Sequence, residues 1–193
     1  MRIMLNFKGS GLIVAKRLCC AVLGHSPTRF AWGFDEEDLG CKQLKLELLQ
    51  SITMLRSYGV SQFMVACDPG VGLWVAEMVN ILRRYDGKLQ LFCVLPHEEQ
   101  ATKWAPYLRE RYFDMLEQCT YLTTVAMHKT PDSQWNAYRT IIDSSDLVLS
   151  VYEPASARGD AVDRAMTYAS DMRRSMVVIH PDTFRVTVQI NRT

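Results

Sequence analysis

The chain has 193 residues, 48% of them apolar and 22% charged, with 22 Lys and Arg against 21 Asp and Glu. That is enough for a domain with a sizeable core, and the balanced charge excludes the basic field of a non-specific nucleic-acid binder. Six cysteines without a secretory leader point to a reducing, cytoplasmic setting, and no apolar run reaches the length of a membrane span.

Residues 1–16 are expected to be an N-terminal extension, since Leu12-Ile13-Val14-Ala15 is too short for a leader and runs straight into Lys16-Arg17. From residue 17 a short apolar run, a turn and a helical period repeat. Cys19–Leu23 predicts a buried strand ending at Gly24-His25-Ser26-Pro27. Leu44, Leu48, Ile52 and Leu55 recur at helical spacing, with Gly59 as the stop. Phe63–Ala66 predicts a second strand, followed by a helix from Val71 to Tyr85. Leu89–Leu95 is the third strand, after which helical sequence resumes near Glu98 and is broken or kinked at Pro106. Tyr121–Met127 is the fourth strand, and a polar loop leads from it to a helix through Tyr138–Ile142. Leu147–Tyr152 is the fifth strand, a helix opens at Gly159-Asp160, and Met176–Ile179 is the sixth. Phe184–Val188 alternates and adds an edge strand.

Strands separated by helices predict an α/β fold: a Rossmann-like, three-layer domain over residues 17–193, with a mainly parallel sheet and a C-terminal edge strand. In such sheets ligands sit beyond the carboxyl ends of the strands, where every turn named above falls. The clearest of these turns is Asp68-Pro69-Gly70-Val71-Gly72. It is a strand–glycine turn–helix unit, in which free N–H groups at a helix start receive an anion, usually a phosphate.

Read together, the turns carry a resemblance. Leu23-Gly24-His25-Ser26-Pro27 is similar to Thr-Gly-His-Arg-Pro, and Gly70–Glu77 to Gly-Val-Asp/Glu-Leu-Trp-Ala-Ala-Glu. Trp32–Asp38, then Pro96, Gln100, Trp104 and Arg111-Tyr112, then Asp143–Asp146, Val151-Tyr152 and Gly159 supply further blocks. The whole resembles the YpsA-like branch of the SLOG superfamily, Rossmann-type domains related to DprA and to the LOG nucleotide hydrolases. The resemblance implies a nucleotide or nucleotide-derived ligand at the strand ends. Against the family pattern, Leu23 replaces Thr, Ser26 replaces Arg, Gly72 an acid, Tyr138 an Asn and Asp160 a Thr.

The expected ligand-binding residues are therefore Gly24, His25, Ser26, Arg29, Asp68, Gly70, Val71, Gly72, Gln100, Trp104, Arg158, Gly159 and Asp160. Backbone groups around Gly24 and Gly70–Gly72 would hold a phosphate, and His25, Gln100 and Trp104 would line the pocket. Gly72 keeps the close backbone approach but brings no carboxylate. Ser26 brings no cation, and Arg29 reads as an exposed loop arginine unless it substitutes for one. Asp160 reads first as a helix cap, with Arg158 placed to offset its charge if turned inward. Cys19, Cys20 and Cys93 read as inert packing thiols, and Cys67 stands at a strand end. His25, His97 and His128 follow strands without any short-range ligand pair, so neither a metal nor a cofactor is expected.

The leading expectation is a binding or sensing domain for a small nucleotide-type ligand, without catalysis. Its alternatives are an N-glycosidic or phosphoribosyl hydrolase acting on a nucleotide, weakened because Gly72 carries no acid, and a degenerate scaffold serving oligomerisation. The partners expected are that ligand and, on the scaffold reading, a second copy of the chain; neither nucleic acid nor a membrane is among them.

Overall fold

The computed structural model describes residues 17–191, so the extension expected over residues 1–16 lies outside the described residues. Seven strands form one sheet in the order β4-β3-β2-β1-β5-β6-β7. They are β1 (Leu18–Gly24), β2 (Val60–Val65), β3 (Gln90–Leu95), β4 (Tyr121–Thr124), β5 (Leu147–Val151), β6 (Ser175–Ile179) and β7 (Val186–Gln189). All pairings are parallel except β6 with β7, so the predicted edge strand closes the sheet antiparallel.

The helices are α1 (Leu39–Ser57), α2 (Val71–Arg83), α3 (Pro106–Gln118), α4 (Ser133–Asp143) and α5 (Ala161–Asp171). Burial on both faces explains why β1 reads as an uninterrupted apolar run. Its Cys20 and Val22 face α1, α2 and α3, while Cys19, Ala21 and Leu23 face α4 and α5. The result is the expected three-layer α/β arrangement.

Two elements differ from expectation. Residues 97–104 form successive turns, closed by Gln100 N–H to His97 O, Thr102 N–H to Glu99 O and Trp104 N–H to Ala101 O. Pro106 does not break a helix; it is the first residue of α3. A proline costs no hydrogen bond in a first turn, and its fixed φ suits a helix start. The fourth strand stops at Thr124 rather than Met127. Its neighbour β3 ends at Leu95, whose carbonyl takes the last bond from Val125 N–H.

From β1 the chain moves outward through β2, β3 and β4, then returns to place β5 on the other flank of β1. The direction of winding therefore reverses between β1 and β5, where open α/β sheets leave a crevice at the carboxyl edge.

Candidate functional site

The turns after β1 and β2 close upon each other. A Cβ on Gly24 would lie 2.5 to 2.7 Å from the Val71 side chain, so β1 runs hard against the start of α2. Gly70 has φ +88°, and a Cβ there would meet Pro27 Cδ at 3.0 Å and the His25 carbonyl oxygen at 3.3 Å. Glycine is required at Gly70 on both counts.

His25 is 2% exposed and packs between Phe30 and Tyr152, with ring centroids 6.5 and 5.3 Å away. Neither ring nitrogen has a hydrogen-bond partner among the described residues. Burial, with the Arg29 cation beside it, holds its pKa down to about 4, so the ring is neutral near pH 7. Ser26 Oγ lies 2.8 Å from Thr28 Oγ1.

Arg29 is not an exposed loop arginine. Its side chain is 5% exposed and donates to Asp160 Oδ2 at 2.6 Å and to the Ser156 carbonyl, with Asp163 Oδ1 at 3.6 Å. Asp160 caps α5 by accepting from Val162 and Asp163 N–H, and Asp163 accepts in return from Asp160 N–H, a reciprocal capping box. Arg158 engages this cap through its backbone N–H to Asp163 Oδ2 at 2.6 Å, while its side chain is exposed; Arg29 is what neutralises Asp160. Gly159, at φ +75°, turns the chain into the cap. His25, Ser26, Arg29, Arg158, Gly159 and Asp160 thus gather at the β1–β5 crevice, where an internal ion pair spans the two loops.

Asp68, Gln100 and Trp104 instead line an open cleft of about 580 Å³ beyond the carboxyl ends of β2, β3 and β4. Pro69, His97, Lys129, Thr130, Ser133 and Gln134 complete most of its wall. A groove of similar volume follows α5 and the uncovered flank of β6 and β7, and it holds none of the expected residues.

Within the cleft, Tyr138 OH donates to Asp68 Oδ2 at 3.0 Å. The other carboxylate oxygen, Oδ1, lies 3.0 Å from where a Cβ on Gly72 would stand. The space left by the missing side chain at Gly72 is filled by the carboxylate of Asp68. Desolvation lifts that carboxyl to about 6, against the Tyr138 hydrogen bond that lowers it. Gln100 donates to the Ala66 carbonyl at 3.0 Å and receives Tyr112 OH at 3.4 Å, so it ties the end of β2 to α3. Trp104 meets Tyr112 edge-to-face at 5.1 Å.

His97 is 8% exposed, and its Nδ1 has no partner among the described residues. Burial and the nearby Lys129 lower its pKa. His97, Lys129, Ser133 and Gln134 are not among the residues expected to bind ligand, yet all four line the cleft. The polar stretch before α4 was visible as a loop, but its position over β2 and β3 depends on pairing across the sheet.

Several matched motif residues serve the scaffold instead. Arg111 grips Glu77 through two bonds of 2.7 Å and Glu36 Oε1 at 2.8 Å. Glu36 also accepts from Lys45 and from Trp74 Nε1 at 2.8 Å. Trp74 is buried and stacks on Phe30. Cys19, Cys20, Cys67 and Cys93 are buried as well, and desolvation raises the Cys19 and Cys20 thiols. His128 is exposed beside Glu99. Among the described residues, no three His, Cys, Asp or Glu side chains converge as a metal-ligand set, and no helix is long and apolar enough to cross a membrane.

The model of the YspA SLOG family matches residues 20–184. The UPF0398 protein YpsA of Bacillus subtilis is 24% identical over 177 residues, covering 88% of this chain and 96% of that protein. The UPF0398 protein BH1768 of Halalkalibacterium halodurans is 27% identical over 122 residues, 62% of this chain and 65% of its own length. Among solved structures, DNA processing protein A (DprA) from Streptococcus pneumoniae superposes with a TM-score of 0.55 at 11% identity, covering 84% of this chain and 50% of that one. TM1055 superposes with a TM-score of 0.51 at 12% identity over 82% and 72% of the two chains. At these identities the structural likeness establishes the Rossmann-like fold alone.

Proposed function

Because the chain belongs to the YpsA SLOG family, we propose that it binds a nucleotide or nucleotide-derived ligand at the carboxyl edge of its sheet, in the cleft between Asp68 and Trp104. One observation carries this most: the cleft combines an open volume of about 580 Å³ with the aromatic Trp104 and the largely buried His97, whose Nδ1 has no partner among the described residues. Small-molecule sites are typically concave, largely preformed and fitted with a few placed polar groups. Trp104 offers a ring face to a base, and His97 and Asp68 offer polar atoms to its edge or to a sugar. The β1–β5 crevice is bridged from within, since Arg29 donates there to Asp160 and to the Ser156 carbonyl.

A hydrolytic reading regains support from Asp68, whose carboxyl stands where Gly72 brings none and whose raised pKa suits an acid–base group. Thermal unfolding against nucleosides, nucleotides, ADP-ribose and NAD, with assay of the same mixtures for released base, tests both readings. Ligand at a hundred times its Kd stabilises by about 2.7 kcal/mol, and Trp104→Ala is expected to abolish the shift. No shift at millimolar ligand would defeat the binding proposal, and shift without released base would defeat the hydrolytic one.

A further inference from the structure

The phosphate expected at the Gly70–Gly72 turn would meet an anion already in place. Asp68 Oδ1 lies beside Gly72, and Tyr138 holds the other oxygen of the same carboxylate. Near pH 7 this carboxyl is ionised, since its pKa is about 6. A second anion at that helix start would be repelled. The turn is also shut from behind, because Gly70 and Gly24 pack against Pro27 and Val71.

What remains open in the cleft is of another kind. Asp68 and Lys129 are the formally charged residues among those lining it, so its wall carries no net charge. His97, nine-tenths buried, also lines the cleft, and its Nδ1 has no partner among the described residues. An ionised carboxylate only accepts hydrogen bonds, and it rewards a ligand that brings O–H or N–H donors. A single lysine at the rim matches at most one phosphate, whereas a di- or triphosphate brings several charges to one cation.

We propose that the cleft selects the nucleoside end of its ligand, with Asp68 accepting from a sugar hydroxyl or base amine and His97 adding a second hydrogen bond, and that it admits a monophosphate at Lys129 but disfavours polyphosphates. The inference rests on the nucleotide-binding reading above and reverses the orientation expected for a glycine-turn phosphate cradle. The acid absent at Gly72 is replaced in space by Asp68, and Tyr138 fixes it there.

Calorimetric titration with adenosine, AMP, ADP and inorganic pyrophosphate tests this on the wild type, Asp68→Asn and Lys129→Ala. The wild type is expected to bind adenosine and AMP and to bind ADP more weakly, with no measurable affinity for pyrophosphate. Asp68→Asn keeps the shape and an acceptor for Tyr138. It should weaken adenosine about tenfold, the worth of one charge-assisted hydrogen bond, while improving ADP and pyrophosphate. Lys129→Ala should weaken AMP and leave adenosine unchanged, and being an exposed-site change it guards against a folding artefact. Pyrophosphate binding to the wild type, or an adenosine-to-ADP preference unmoved by Asp68→Asn, would overturn the inference while the nucleotide reading stands. Failure of all four probes on the wild type would overturn both.

Discussion

Asp68 and His25 are buried titratable groups whose penalties oppose each other in pH. Asp68 is lifted by desolvation from 3.8 to about 6, so the unfolded chain gives up its proton first and stability falls as pH rises across that interval. His25 is held down from 6.5 to about 4, so the unfolded chain takes up a proton first and stability falls as pH drops through nearly the same interval. Each penalty is on the order of 3 kcal/mol. The wild type should therefore show a flattened profile between these limits when urea midpoints are measured across pH. Asp68→Asn should steepen the loss on acidification, and His25→Leu should reverse the slope above pH 4.5. Below 4.5 a third loss joins in every variant. Against a desolvation cost, hydrogen bonds from Arg111, Lys45 and Trp74 hold Glu36 down to about 2, and protonation removes them. Parallel profiles for all three proteins would refute this account. At this scale Gly70 was legible, because a turn between strand and helix demands positive φ and a bare α-carbon. The Asp68–Tyr138 contact was not, since it joins residues 70 apart that only the folded sheet brings together.

At the scale of elements, helix positions followed from period and punctuation, while helix ends followed from local chemistry. The Asp160 cap was readable from an acid before an apolar-periodic stretch. Pro106 reads in the sequence as an interruption of a helix, but the turns over residues 97–104 leave it to start α3. Nothing local showed that Arg29, in the loop after β1, reaches across 131 residues to the cap of α5. Ser26 and Asp160, two positions that depart from the family pattern, are connected through that arginine: the cation absent at Ser26 is present at Arg29, and Asp160 anchors it. A double-mutant cycle of Arg29→Met and Asp160→Asn measures the link, because asparagine retains the cap and loses only the charge. A coupling of about 1 kcal/mol or more is expected, above the value usual for exposed pairs, since the guanidinium is largely enclosed. A coupling near zero would show the loops to be held by packing alone.

Across the whole molecule, the sheet has two roles. Its two apolar faces bind three helices on one side and two on the other, and its carboxyl edge gathers the polar turns. The α/β class and the location of that edge were legible, because strand and helix periods alternate along the chain. Which turns remain open was not. That depends on β4 and its following loop lying beyond β3, and on the β1–β5 crevice being filled by side chains from both loops. The thirteen residues expected around one site consequently divide, six of them at the crevice and Asp68, Gln100 and Trp104 in the cleft. Gly24, Gly70, Val71 and Gly72 form the packed wall between the two. A crystal structure grown with millimolar AMP tests this division most directly. Ligand density is expected in the cleft, with the nucleoside against Trp104 and Asp68 and the phosphate toward Lys129. Density at the β1–β5 crevice beside Ser26 and Arg158, or a phosphate seated on the Gly70 turn, would contradict it.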